Sequence, residues 1–388
     1  MNRPAIKRPF VAGLFAAALG ASTTMVACPA DGDPPPEGDP ALESDRQRLL
    51  TDWEGTLLLP THAEFVTTSQ ALIDASTAFC AAPDDAALFA ATQAAWSATH
   101  SAFKHIEVFR FGPIVAYPER YGPTVDFWPA REARIEAVLA DDEPITASRL
   151  RTEGAVARGL PVVEVLLWQR GDAGDNQALF TAADGARRCS YLVAASEDIH
   201  ALASGLDEQW RLDGGAYVRH LTAPSSESEF PTVEAAFSEL VNRMGFTVEN
   251  VRRDKLGRTS AENIESGYSG RSIEAMRENL TTVMRLFYGG DASARTTAAE
   301  ATATAPLGLI DHPRLVERPD LIAAFETAQH EAIDALEAVD APFAVAVTDD
   351  RDGIAAADAA LATLQRVIQA DLLNVLSLTL AFNDNDGD

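Results

Sequence analysis

The chain has 388 residues, with 31 Lys plus Arg against 58 Asp plus Glu, and a formal charge of −27. A surface that acidic repels nucleic acid and anionic lipid and draws cations or basic partners, so a nucleic-acid partner is excluded. The first 27 residues carry Arg3, Lys7 and Arg8 and no acid, so their removal would deepen the charge to −30.

Those three basic residues precede an uncharged, mostly apolar run from Val11 to Ala27, the pattern of an export signal. The run ends in Met25-Val26-Ala27-Cys28, which looks like a lipobox, so residues 1–27 are expected to be cleaved and Cys28 lipidated. An ordinary secretory signal that happens to contain a Cys is the alternative. Residues 28–44 form an acidic Pro/Gly linker; from Pro29 to Pro40 nothing is apolar and large enough to pack, as suits a solvated tether. Position 29 is Pro rather than Asp, and resemblance to known sorting signals then implies no retention at the inner membrane. The expected address is the bacterial cell envelope, lipid-anchored in the outer membrane and facing periplasm or surface. No other segment is long and apolar enough to span a bilayer.

With Cys28 lipidated, Cys80 and Cys189 remain as an even pair in an oxidising compartment. A disulfide between them would close a loop of roughly 110 residues, worth on the order of 4–5 kcal/mol in the chain-entropy view. Two buried free thiols are the other reading.

After the linker, apolar residues recur three and four apart, which predicts helices over 45–59, 62–80 and 85–109. Pro60, Pro83 and Gly112-Pro113 punctuate them. A loop with Pro118, Gly122 and Pro123 leads to Trp128-Pro129, and helical spacing resumes over 130–139, 148–168 and 186–210. Residues 213–231 are poor in large apolar side chains and mark the expected domain boundary. Helices follow over 232–253, 272–288, 318–339 and 354–382, with an Ala/Thr-rich loop over 289–306. Nothing alternates at period two for long enough to predict a sheet. The expectation is an all-α chain of two helical bundles, 45–224 and 225–388, in up-and-down packing.

Familiar catalytic signatures are missing. His330-Glu331-Ala332-Ile333-Asp334 has Asp where a zinc-binding HExxH needs its second His, and reads as a solvated helix face. Gly267-Tyr268-Ser269-Gly270-Arg271 fails the nucleophile-elbow pattern at its last residue. His100 and His105 are five apart, roughly 140° around a helix, and read as exposed helix surface rather than a metal pair.

A set of local strings stands out instead. Trp96 is followed by Glu107-Val108-Phe109-Arg110-Phe111-Gly112-Pro113, then Asp126-Phe127-Trp128-Pro129. Arg158 to Trp168, Arg187 to Leu192, Glu265-Ser266-Gly267-Tyr268-Ser269 and the Asn383-Asp384-Asn385-Asp386-Gly387-Asp388 end complete the set. In this order, from about residue 45 onward, they resemble the imelysin family. The resemblance implies a two-domain all-α fold, export with frequent lipid anchoring, and a link to iron acquisition. It also implies an older assignment as metallopeptidases, resting on a Gly-x-His-x-x-Glu motif.

That motif maps onto Gly159 to Glu164, where position 161 is Pro instead of His. In the family pattern His and Glu, three apart, could meet one metal. Pro161 offers no ligand but suits a first helical turn. Glu164 remains as a candidate metal ligand or binding group, or as a structural carboxylate paired with Arg110 or Arg158. Glu107 and Arg110 form either a surface pair or part of a site at the domain junction. Ser266 and Ser269, beside Glu265, either cap the following helix or line a polar pocket opposite Glu164. The Asp384 to Asp388 tail lacks the remaining positions of a calcium loop and reads as a frayed terminus. The resemblance, with the export signal and the acidic surface, implies an accessory protein of iron, haem-iron or other metal acquisition, for which carboxylates would supply hard oxygen donors. A degenerate module for a periplasmic or surface protein partner is the alternative, and a peptidase the remotest reading.

Overall fold

The structure, a computed structural model, describes residues 39–258, 260–290 and 306–381. The export segment, Cys28, the linker up to residue 38, residues 291–305 of the Ala/Thr-rich loop and the acidic tail lie outside the described residues. The described residues make one compact unit. Among the described residues there is no strand.

In chain order the helices are α1 (Pro40–Trp53), α2 (Leu59–Ala81), α3 (Ala86–Ile106), α4 (Tyr121–Val125), α5 (Glu132–Ala140), α6 (Ala147–Glu153), α7 (Leu160–Trp168), α8 (Ala173–Thr181) and α9 (Gly185–Trp210). There follow α10 (Arg219–Thr222), α11 (Val233–Asn250), α12 (Ser272–Tyr288), α13 (Pro313–Val316), α14 (Pro319–Glu337), α15 (Phe343–Asp349), α16 (Arg351–Arg366) and α17 (Leu373–Leu376). Wider π-helical segments, Glu54–Leu58, Val251–Leu256 and Val367–Leu372, join α1 to α2, extend α11 and join α16 to α17.

Local chemistry sets the main elements. The Asp85 carboxylate accepts from the Ala87 and Leu88 amides and starts α3. From there Phe89, Trp96 and Phe103 fall on one buried stripe. Helix α12 ends at Gly289, whose φ of 82° is the left-handed conformation that glycine supplies most cheaply. Pro60 does not separate two helices as its position suggests: the π-helical segment Glu54–Leu58 leads directly into α2, and Pro60 sits in the first turn where a missing N–H is harmless. The helix expected over 148–168 is divided, because Gly154 and Gly159 take φ of 80° and 83° and break it into α6, a short 3₁₀ turn and α7. Helices α8 and α15, at 9 and 7 residues, are too short to show a period.

Helix α2 packs along both α3 and α9, and α14 packs along α16. Cys80, at the end of α2, is disulfide-bonded to Cys189 in the first turns of α9, with Cα atoms 5.5 Å apart. Elements of the two sequence halves pack on one another, α1 against α11 among them. Trp53 of α1 stacks on Phe237 of α11 with ring centroids 5.8 Å apart. Arg46 Nη2 donates to the Leu376 carbonyl at 2.9 Å, and α3 packs against α12.

Candidate functional site

Three segments converge where α3 meets the start of α12. Trp96 of α3 donates its indole N–H to the Leu160 carbonyl at 3.0 Å, which docks α7 on α3. Gly159, just before α7, lies so close to the 124–125 backbone that a Cβ there would run into the Val125 carbonyl oxygen. That contact fixes α7 beside Asp126. The loop before α12 closes the third side, with Ser266 held at a φ of 53°.

Inside this junction lies a buried charge cluster. Lys104, on the last turn of α3, is wholly buried, and Lys255, on the π-helical segment after α11, is 3% exposed. Glu107 receives Lys104 on one oxygen at 3.1 Å and Lys255 on the other at 2.8 Å. Glu265 also meets both: its Oε1 accepts from Lys104 and, at 3.2 Å, from Lys255, and its Oε2 lies 2.9 Å from the Lys255 ammonium. The two carboxylates therefore bridge the same two cations. Asp126 completes the Lys104 cage. The Asn279 side-chain oxygen accepts from Lys255 at 2.7 Å while its amide donates to Glu107 at 3.0 Å. Burying an ion costs several kcal/mol, repaid only when such a cage is complete.

The charges set the protonation states. Burial disfavours the Lys104 ammonium, but Asp126, Glu107 and Glu265 outweigh it and hold that lysine well above its usual range. Burial is likewise outweighed at Glu107, which Lys104 and Lys255 push down. Asp126 is raised to about 7: burial dominates, Lys104 opposes it, and Glu265 and Glu107 add to it. His100 sits 2.9 Å from the Ser266 hydroxyl and stacks on Trp96, with centroids 4.9 Å apart. Burial, together with the charges of Lys104, Arg271 and Lys255, drives it well below its usual range, so it is neutral.

Glu164 stands beside this cluster. Its Oε1 accepts from the Ser269 amide at 2.8 Å and the Ser269 hydroxyl at 2.7 Å. Burial outweighs these bonds and pushes its carboxyl up to about 7. Two clefts open at the surface, and Trp128 lines both. One, of about 420 Å³, is lined by Phe103, Glu107, Arg110, Asp126 and Lys255. The other, of about 540 Å³, is lined by Glu132, Pro161, Glu164, Ser266 and Tyr268.

Comparison with known proteins places this architecture. The family model described as Imelysin matches residues 58–370. The chain belongs to the imelysin family. A curated relative, "Iron-regulated protein A" of Synechococcus elongatus, is 25% identical over 240 residues, 60% of this chain; the match spans 62% of that relative's length. The fold is similar to the crystal structure of a protein assigned as an iron-regulated protein A precursor from Parabacteroides distasonis ATCC 8503. There the TM-score is 0.72 at 21% identity, covering 90% of this chain and 97% of that one. An imelysin-like protein from Psychrobacter arcticum 273-4 gives a TM-score of 0.62 at 18% identity, covering 88% and 98%.

Of the residues singled out in the sequence, Glu107, Glu164, Glu265, Ser266 and Ser269 are brought together at this junction. Arg110 is not a partner of Glu164. It is exposed, at the rim of the first cleft. Arg158 is not one either, because it makes a paired contact with the buried Asp198 at 2.5 and 2.7 Å. Glu164 is bonded by Ser269 instead. Glu107 does not pair with Arg110 but turns inward to the two lysines. Ser269 spends its hydroxyl on Glu164. His100 and His105 are not surface residues: they are 2% and 7% exposed, because the end of α3 is covered by the loop before α12 and by α12 itself.

The metal that the family's motif implies does not fit these residues as they stand. Pro161 brings no donor, and no group of three His, Cys, Asp or Glu gathers on Glu164 among the described residues. One such group exists elsewhere, His100, Asp126 and Glu265, with candidate ligand atoms within 4.8 Å of one another. The Lys104 ammonium binds two of its three members.

Lys104, Asp126, Lys255 and Asn279 were missed as site residues. A charge on an amphipathic helix reads as a solvated face, yet one signal was available. The chain has 28 Arg but three Lys, namely Lys7, Lys104 and Lys255. In a sequence that otherwise uses Arg for positive charge, the two lysines beyond residue 27 occupy this cluster. A compact ammonium fits a three-carboxylate cage that a planar guanidinium does not.

Proposed function

We propose that this imelysin-family protein is an exported, lipid-anchored accessory protein of iron or other metal acquisition that binds its ligand without hydrolysing it. The observation that carries this is the pair of clefts meeting at Trp128, each within the volume range of small-molecule sites. The cluster carboxylates beneath them are engaged by lysines, and Glu164 by Ser269. A metal seated in the clefts therefore arrives as a complex that brings its own donors. Zinc hydrolysis, in contrast, calls for three protein ligands and a water, which the Pro161–Glu164 turn does not assemble. The name of the Synechococcus relative supports the iron link.

The test is thermal melting of the full-length protein with Fe(III), Fe(II), Zn(II), Cu(II) and Ca(II). Each ion is tried free and, for Fe(III), as a citrate or hydroxamate chelate. A saturable shift with an iron species, lost in Trp128→Ala, is the expected result. A melting curve indifferent to all of them would favour the second reading, a module for a periplasmic or surface protein partner. That reading is motivated by Pro161 and by the lysine-filled cluster, and a co-purifying protein would support it. Chelator-sensitive cleavage of a peptide library would overturn both.

A further inference from the structure

Metal-binding carboxylate clusters in helical bundles share one arrangement: two cations close together, carboxylates bridging both, and a histidine on the flank. The cluster here has that arrangement with different cations. Glu107 offers one oxygen to Lys104 and the other to Lys255, while Glu265 accepts from both lysines on Oε1 and holds Oε2 2.9 Å from Lys255. Asp126 is a further ligand on the Lys104 side, and Asn279 on the Lys255 side. The His100, Asp126 and Glu265 ligand atoms lie within 4.8 Å of one another, a span one divalent ion can bridge after slight contraction. A second observation points the same way. The buried Oε2 of Glu265 is ion-paired with Lys255 at 2.9 Å but takes no hydrogen bond, since Lys255 donates to Oε1 instead, and its lone pairs stay open to a further cation. Lysine is otherwise almost absent from the sequence, which argues that a compact cation is required here.

We propose that Asp126, Glu265, Glu107 and His100 form a divalent-cation seat in which the Lys104 ammonium stands as a tethered cation, so that withdrawing this lysine opens a metal site. The seat lies beneath the clefts and is independent of whatever ligand they take. Lys104 reaches it from the last turn of α3, one helical turn beyond His100, so the fold supplies the cation with the chain. The protein thereby keeps its three converging segments together whatever the metal content of its surroundings. Charge is conserved in the exchange only in part, because a divalent ion brings one more positive charge than the ammonium.

The test compares full-length wild type with Lys104→Met and with Lys104→Met/Asp126→Asn. Each is exposed to Mn(II) or Zn(II), freed of loose metal by gel filtration, then analysed for bound metal and melted. Co(II) adds a visible absorption band that reports its ligands. Wild type is expected to leave the column without stoichiometric metal. Lys104→Met is expected to retain one metal per chain and to melt higher when loaded, and Asp126→Asn should abolish both effects. A folded Lys104→Met that takes no metal overturns the proposal. So does a wild type that loads to one metal per chain in an Asp126-dependent way. Should the uncompensated carboxylates prevent Lys104→Met from folding, the charge-balanced Lys104→Met/Glu265→Gln still leaves Asp126, Glu107 and His100 as ligands. If neither folds without metal, recovery of the helical circular-dichroism spectrum on adding Mn(II) or Zn(II) is the expected outcome, and its failure the contrary one.

Discussion

Glu164 takes two hydrogen bonds from one residue, Ser269, through the backbone amide and the hydroxyl, across 105 positions of sequence. This is the direct link between the turn that carries the family motif and the loop that opens α12. It also makes Glu164 the most readily read titrating group of the site.

Burial raises the Glu164 carboxyl to about 7, above its ordinary 4.5. The folded state then keeps a proton that the unfolded chain releases near pH 4.5. The contribution of this group to stability consequently falls as pH rises from 4.5 through 7 and is level beyond. Glu164→Gln, which keeps both acceptor contacts without the charge, is expected to leave stability at pH 5 almost unchanged. At pH 8 it should raise stability by up to roughly 3 kcal/mol. Ser269→Ala should do the opposite, costing more at pH 8 than at pH 5. Urea unfolding at the two pH values checks both, and a Glu164→Gln variant weaker than wild type at pH 8 would contradict the account.

Asp198 is fully buried, with Arg158 on both oxygens and Arg151 at 3.2 Å. Removing Arg158 leaves the buried Asp198 carboxylate with only the half-exposed Arg151. Arg158→Ala is therefore expected to cost about 3–5 kcal/mol, and Arg158→Met with Asp198→Leu distinctly less. Denaturant midpoints of the single and double variants measure the difference.

The disulfide closes a loop across a sequence separation of 109. Its loss in Cys80→Ser/Cys189→Ser should lower stability by about 4 kcal/mol in the chain-entropy view. The melting temperature of wild type in reducing buffer should fall towards that of the double variant, and a reductant-insensitive wild type would argue against the bond's contribution.

Gly159 combines a φ of 83° with a Cβ path blocked by the Val125 carbonyl. Gly159→Ala should cost at least about 2 kcal/mol and, by prising α7 from Asp126, weaken any ligand shift that depends on Trp128. Gly55 has open space around its Cβ, so Gly55→Ala should stabilise by roughly 0.5–1 kcal/mol. Circular-dichroism melts of the pair separate backbone strain from loss of a glycine as such.

The helices were legible where an apolar stripe ran long enough to show its period, as in α2, α3, α9 and α12. They were not legible where a device replaced the usual signal. A π-helical segment carried the chain past Pro60, and two glycines at positive φ cut one apparent helix into α6 and α7. Within the site, Glu107, Glu164, Glu265, Ser266 and Ser269 could be picked out through the strings they belong to. Their partners could not, because partner choice depends on which segments meet. Asp126 and Lys104 are 22 residues apart and Lys104 and Glu265 are 161 apart, and no spacing rule connects them. Buried histidines on α3 looked like surface residues for the same reason: the loop that covers them comes from the other half of the chain.

The scarcity of lysine gives this protein a built-in reporter. Beyond residue 27 a lysine-specific protease has only Lys104 and Lys255 to cut, and both are buried in the folded chain. Native-state cleavage or acylation at these two lysines, told apart from reaction at Lys7 and the N-terminal amine by mapping the site, would therefore begin only when the junction opens. The first fragments or adducts to appear would time that opening, without any engineered label.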